Sequence, residues 1–440
     1  MGRAGGAGGA VLDRDDGVPL RGRAPGLHPD ALTRPRRPRR VAGEDGGVAR
    51  PEDERIGFGA ALGLGALVLA SFVAVTTEIV PVGLLPQLSR AFAVPESVTG
   101  LLITVYAALV AVLAVPLTRL TGRLPRKPLL LGTIAMYGVG NLVIVLAPSF
   151  AVLCAGRAIG GVAHALFFSL SSAYASALVP PRVQGRALAI AAAGASAGYV
   201  LGVPLVTSIG AALDWRAAFA ALAIGAVLAA LVTAGALPAI VGTEPQEHPA
   251  RGPRSALVSA AVVNALAFFG HYALYTYVST VLLGAAVPES AIGTALFLFG
   301  AAGVVGLWLA GLVIDRRPRA GFLGALALAA LCIAALLLLR DSTPGTVAAV
   351  TLWVVGFGAI PVFCTAACLR SRALSPDLCA AVNNAASNVG IGLGAAVGGG
   401  VLALAGVPAV VVLAAGAFAL AVVLVAVLRG GFPTRVRNEA

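Results

Sequence analysis

Among the long apolar runs of this 440-residue chain, Glu78 is the one carboxylate set well inside a run and Arg157 the one guanidinium. If the runs cross a membrane, each ionised group costs about 2.5–3.5 kcal/mol even on the lenient insertion scale, so each needs a reason to be there. Glu78 and Arg157 lie about seven residues from one end of their runs, roughly 10 Å deep at 1.5 Å per residue, so they can pair if the two helices face each other. A nearby guanidinium favours the ionised carboxylate and burial favours the neutral one. Separating the pair would therefore switch Glu78 between proton release and proton uptake. The competing reading is a buried ion pair that only orients two helices. His164 follows Arg157 by seven positions and shares its helical face. An imidazole titrates near neutral pH, so His164 either relays a proton, lines a cavity or packs as an ordinary core residue.

Other candidates recognise rather than titrate. His271 stands among Phe268, Phe269, Tyr272, Tyr275 and Tyr277, in a chain whose aromatic content is only 6%. Aromatic faces with a few polar tips suit an apolar pocket that still hydrogen-bonds, although helix packing would use the same residues. Asn383, Asn384 and Asn388 must face a cavity or another helix, because lipid would leave their amides unpaired. Gly194, Gly198 and Gly202 form a ladder on which another helix can approach closely, and Pro204 beside them gives that segment a place to bend or slide. Glu96, Asp214, Glu289 and Asp341 fall on connections and are expected to be solvated.

Twelve runs must position these side chains: 57–85, 98–117, 129–147, 151–174, 187–210, 217–237, 257–284, 291–314, 320–339, 345–368, 379–404 and 408–428. Each is close to the roughly 20 apolar residues that a helix needs to span a bilayer. In lipid a helix satisfies its own backbone hydrogen bonds, and barrel strands would be shorter and alternate in polarity. Composition agrees, at 59% hydrophobic, 11% charged and mean hydropathy +0.94, which excludes a soluble domain. Of the twenty Lys/Arg from Ile56 onward, sixteen fall on alternate connections, three (Arg90, Arg216, Arg340) on the others, and Arg157 inside a run. Basic short loops stay cytoplasmic, so both ends are expected inside a plasma (inner) membrane. The net charge of +12 then reports topology and contact with anionic headgroups, not a nucleic-acid partner. Cys154, Cys332, Cys364, Cys368 and Cys379 show no ligand or disulfide spacing and read as small packing residues.

The runs repeat. Thr118-x-x-x-Gly122-Arg123-x-Pro125-Arg126-Lys127 lies over Gly311-x-x-x-Asp315-Arg316-x-Pro318-Arg319, and Ala177-Leu-Val-Pro180 over Ala373-Leu-Ser-Pro376. The Gly194/Gly198/Gly202 ladder lies over Gly390/Gly394/Gly398. Duplication of a six-span unit is implied, with bundles at 56–240 and 256–430 joined by a cytoplasmic linker at 241–255. Parallel repeats place a substrate site between the halves near mid-membrane. Residues 1–55, with eleven Arg and nine Asp/Glu, cannot bury enough apolar surface to order. They read as a cytoplasmic tail, or alternatively as a lipid-binding arm, and 431–440 as a second tail. No signal-peptide core precedes Gly57.

From about Gly57 to Arg429 the chain resembles the twelve-span drug:proton antiporters of the major facilitator superfamily, and within them the sugar- and arabinose-efflux branch. The residues that carry the resemblance are Thr76-Thr77-Glu78-Ile-Val-Pro81-Val-Gly83-Leu-Leu-Pro86, the basic loop signature, Arg157-x-x-Gly160-x-x-x-His164, Gly194…Gly198…Gly202-Val-Pro204, Trp215-Arg216-x-x-Phe219 and Gly270-His271-Tyr272-x-x-Tyr275-Thr-Tyr277. The resemblance implies an all-α fold of two six-helix bundles related by pseudo-two-fold symmetry. It also implies a conformational gate at Arg123, Arg126, Gly311, Asp315, Arg316 and Arg319, and a role in export for the Gly194–Pro204 element. The chain departs from the family pattern at Gly122, where the loop signature usually has Asp, at Pro125 and Pro318 in place of Gly, and at Leu205 after Pro204. An Asp–Arg latch must therefore rest mainly on Asp315 in the second half.

With no nucleotide-binding loop, metal cluster or nucleophile–base constellation in the sequence, an ion gradient is the expected energy source, with no cofactor and no enzymatic activity. The expected function is proton-coupled export of a drug, antibiotic or sugar-like molecule by a chain able to act as a monomer. An importer of the same fold and a non-transporting membrane sensor or scaffold are the alternatives. A scaffold would gain little from buried Glu78 and Arg157.

Overall fold

The computed structural model describes residues 56–240 and 252–432. The expected tails and most of the linker lie outside the described residues. Among the described residues the chain is helical, without a strand. α1 is Phe58–Phe92 and α2 Leu101–Leu120, preceded by the single turn Glu96–Thr99. α3 is Arg126–Val145, α4 Phe150–Ala177, α5 Gln184–Ala212 and α6 Trp215–Ala236. In the second half α7 is Arg254–Tyr275, continued by Val278–Gly284; α8 is Ile292–Val313, α9 Pro318–Leu339 and α10 Thr343–Arg370. The last helical stretch, Pro376–Val427, holds 52 residues, roughly 78 Å at 1.5 Å per residue, far more than a hydrocarbon core about 30 Å thick. It breaks at Gly406, whose φ of 74° and ψ of −177° suit a residue without Cβ. α11 precedes the break and α12 follows it, giving twelve spans.

α1 outruns its expected end at residue 85 and reaches Phe92 with Pro81 and Pro86 inside it. Glu78 therefore lies near the middle of its helix rather than two turns from the end. Each internal proline deprives the carbonyl four residues earlier of its helical donor, which orphans Thr77 through Pro81 and Val82 through Pro86. α5 shows the related effect. A π-turn at Gly198–Gly202 precedes Pro204, where the missing N–H removes the ordinary bond to Val200.

The two halves repeat one packing device. On α5, a Cβ at Gly198 would stand 2.9 Å from the Phe72 carbonyl, while Gly194 sits on the Val68 backbone and Gly202 on Thr76. On α11, Gly390 sits on Ala265 and Phe268, Gly394 on Phe269 and Gly398 on Ala273. The fifth helix of each half thus lies directly against the first, as small-residue ladders allow. The second half buries a core around Trp353, Phe299, Phe322 and Phe418. The first half buries one core around Tyr137, Phe167 and Tyr174 and another around Trp215 and Phe219.

Among the described residues, several side-chain bonds join the halves between mid-helix and the end of the molecule that carries Arg90. Arg90 pairs with Glu289 at 2.6 Å, Thr280 donates to Glu96 at 2.5 Å, Ser279 donates to the Val82 carbonyl at 2.7 Å and Thr104 to that of Gly392 at 3.2 Å. Between them the helices touch through glycine. Gly293 of α8 abuts Pro204 and Ser208 of α5, and Gly300 abuts Tyr199 and Val200. That end of the bundle is closed.

Candidate functional site

Arg157 is 1% exposed, and among the described residues it is the one buried guanidinium. Its donors go to main chain. Nη1 reaches the Thr77 carbonyl at 2.6 Å, Nη2 the Glu78 carbonyl at 2.8 Å and Nε the Leu102 carbonyl at 3.2 Å. The bond to Thr77 replaces the one that Pro81 cannot make. The guanidinium also lies over the Tyr106 ring, 4.2 Å from its centre, a favourable cation–π geometry. α1 and α4 meet at this depth, but the expected pairing of Arg157 with the Glu78 side chain is not what the contacts describe. The fork of donors binds the backbone of α1 and ties it to α2.

The Glu78 carboxylate turns instead toward His164, with Oε2 3.6 Å from Nε2. The far nitrogen of that ring, Nδ1, shares a 2.8 Å hydrogen bond with the Tyr106 hydroxyl. Asn141 donates to the Thr77 hydroxyl at 3.1 Å. Glu78 is the one buried carboxylate among the described residues. It is neighboured by an imidazole able to donate or accept, with the charge of Arg157 held on the carbonyls of Thr77 and of Glu78 itself. Tyr106 was not singled out from the sequence. A tyrosine in an apolar run reads as core, and only the fold shows what its hydroxyl meets.

A second cluster occupies the facing half. His271 stacks on Phe357 with ring centres 3.5 Å apart and planes 6° apart, and on Tyr275 at 4.6 Å and 21°. Trp353 stands 5.0 Å from it and Tyr272 5.1 Å. Phe268 lies against Phe357 at 5.1 Å and parallel to Tyr272 at 6.3 Å. The structure thus brings Phe268, His271, Tyr272 and Tyr275 together and adds Trp353 and Phe357 from α10, which sequence reasoning missed. On α11, Asn383 bonds Asn264 of α7 and Thr365 of α10, and Asn388 donates back to the Asn384 carbonyl at 3.0 Å.

The expected gate elements lie at the opposite end from Arg90. Arg123 and Arg316 are exposed on the α2–α3 and α8–α9 turns, and the Arg126 N–H takes the Ile240 carbonyl. Arg319 donates to the Ala426 carbonyl, and Gly311 has open space where a Cβ would lie. Asp315 is exposed, without an ion pair to another described residue. Glu96 and Glu289, expected to be solvated, also reach across the halves, to Thr280 and Arg90, with Glu289 remaining partly exposed.

The two bundles of six helices thus hold a buried Glu78 against His164 in the first and an aromatic cluster in the second. Residues 67–383 match the family described as Major Facilitator Superfamily. The chain belongs to the major facilitator superfamily. A chloramphenicol efflux pump of Mycobacterium tuberculosis (strain CDC 1551 / Oshkosh) is 34% identical over 368 residues, 80% of this chain and 87% of that one. Among solved structures, a bacterial homologue of the human lysosomal transporter Spinster superposes with TM-score 0.65 at 17% identity, over 87% of this chain and 99% of that one. The human organic anion transporter MFSD10 superposes with TM-score 0.62 at 20% identity, over 83% and 99%. This facilitator-superfamily chain is therefore a multi-pass membrane transporter of a small molecule.

Proposed function

We propose that this chain exports a neutral aromatic molecule of the chloramphenicol type across the plasma membrane in exchange for protons, with Glu78 as the proton carrier. The observation that carries the reading is the Glu78 carboxylate, buried at mid-helix and set against His164, while the Arg157 guanidinium bonds the Glu78 main chain. A carboxylate held this way can take or give a proton without dismantling the helix contacts that Arg157 maintains. The 34% identical chloramphenicol efflux pump supports the direction and class of substrate. Phe268, His271, Tyr272 and Tyr275 supply aromatic faces for such a substrate, with Asn384 and Asn388 nearby on α11.

The alternation of basic loops puts both termini and the Arg123 and Asp315 loops in the cytoplasm. In this orientation the Arg90–Glu289 contact lies on the outer side, and the bonds that join the halves there act as an outer gate. Arg123, Arg126, Arg316, Arg319 and Asp315 fasten the opposite, cytoplasmic end when the cycle reverses. The π-turn before Pro204 lets α5 slide on α1 along Gly194, Gly198 and Gly202. One chain holds every group named, so a monomer suffices.

The test is chloramphenicol flux in proteoliposomes with an imposed pH gradient. Accumulation on the acidic side, abolished when the gradient is collapsed, is expected. Flux that ignores the gradient would remove proton coupling, and no flux of chloramphenicol would remove the substrate class.

A further inference from the structure

Two polar atoms in the aromatic cluster have no partner. Nδ1 of His271 and Nε1 of Trp353 are both buried and unbonded, on residues 3% and 0% exposed. Their rings are neighbours, 5.0 Å apart at 59°. Buried polar groups are nearly always hydrogen-bonded, so two orphans on touching side chains call for an explanation. An indole N–H can only donate, while a neutral imidazole nitrogen can accept or donate according to tautomer. A hydroxyl can satisfy both at once, accepting from the indole and either donating to or accepting from the imidazole.

The cover over these atoms is placed to move. Phe357 lies flat on His271 at 3.5 Å. Pro361, four residues further along α10, removes the N–H that would hold the Phe357 carbonyl in the helix. α10 is weakened at the residue that closes the cluster. On the other side Tyr275 stacks on the imidazole, so a guest that displaces Phe357 meets an aromatic face and two unsatisfied polar atoms together.

We propose that His271 and Trp353 form a subsite for a primary hydroxyl group of the transported molecule, opened by displacement of Phe357. This rests on the reading of the chain as an exporter of neutral aromatic compounds and specifies what within such a compound is recognised. It gives the second half a specificity role distinct from the proton chemistry of Glu78 and His164.

Thiamphenicol and florfenicol make the test, because they differ only in fluorine replacing the primary hydroxyl. Equilibrium binding of each is measured on the purified full-length protein. Wild type should bind thiamphenicol roughly three- to tenfold more tightly, the range of one net hydrogen bond. His271→Phe keeps the stack and loses the nitrogen, so it should equalise the two ligands by weakening thiamphenicol alone. His271→Asn, whose amide falls near the position of Nδ1, should restore part of the preference. If His271→Phe fails to fold, Trp353→Phe is read in the same way. Equal affinities in wild type, or a preference that survives His271→Phe, would overturn the subsite and leave the export reading standing. Binding of neither compound by wild type would overturn the substrate class, and the subsite with it.

Discussion

The Ser279 hydroxyl donates to the Val82 carbonyl at 2.7 Å, across the boundary between the two halves. Val82 needs that donor because Pro86 has no N–H to offer it. Pro86 in α1 thus leaves an acceptor that a residue of the other half fills.

Ser279→Ala should therefore destabilise the closed arrangement by about 1–3 kcal/mol, the cost of a buried unpaired acceptor, and shift the population toward opening at that end. Leu296 is 1% exposed and packs beside Gly83 at this interface. A cysteine at 296 in a background lacking native cysteines should react faster with an impermeant thiol reagent once Ser279 is alanine. An unchanged labelling rate would mean that the bond does not report on the closed state.

The same logic governs Arg157, which supplies Thr77 with the bond that Pro81 withholds. Lysine keeps the charge but lacks the planar fork, so Arg157→Lys should forfeit at least one charge-assisted bond, worth roughly 1.5–3 kcal/mol, and lower the thermal midpoint. Pro81→Ala returns an N–H to the Thr77 carbonyl. The damage done by Arg157→Lys should shrink in that background. Strictly additive losses in thermal stability would refute the capping role.

The twelve spans, their alternation of charge and the duplicated glycine ladder were legible in the chain, because each depends on local composition or a fixed sequence offset. Glu78, Arg157 and His164 were legible as a trio, since a charged or titratable group in lipid stands out whatever surrounds it. Their geometry was not legible. Reading Glu78 with Arg157 as a side-chain ion pair follows from charge alone, whereas the structure uses the guanidinium to repair a proline-broken backbone. Glu96 and Glu289 looked like solvated loop residues because their partners, Thr280 and Arg90, lie almost two hundred positions away in the chain. Trp353 and Phe357 escaped notice for the same reason, lying on a helix that joins the His271 cluster only after folding.

The Arg90–Glu289 pair is partly exposed, its side chains 60% and 36% accessible, so its strength is about 0.2–1 kcal/mol. Arg90→Glu should slow transport modestly by placing two carboxylates together at the closed end. Arg90→Glu with Glu289→Arg should recover most of the rate, and the rescue should fade at high salt. Failure of the double swap to recover transport would assign the single variant's defect to something other than this pair.

Glu78 carries the sharpest expectation. Its carboxylate faces His164, whose other nitrogen is held by Tyr106, while Arg157 grips only its carbonyl. Substituting the side chain therefore leaves the helix clamp intact, which separates proton chemistry from architecture. Glu78→Gln keeps the shape and hydrogen-bonding capacity and removes titration. Uphill accumulation of chloramphenicol under a pH gradient should be abolished, while downhill exchange of the neutral drug and the thermal midpoint stay close to wild type. Tyr106→Phe, which frees Nδ1 of His164, should keep uphill transport but displace its pH profile, because the imidazole then loses the partner that fixes its tautomer. The measurement is paired uphill and downhill flux in the same proteoliposome preparations. Wild-type uphill transport by Glu78→Gln would move the proton to another carrier, with His164 the next group to test.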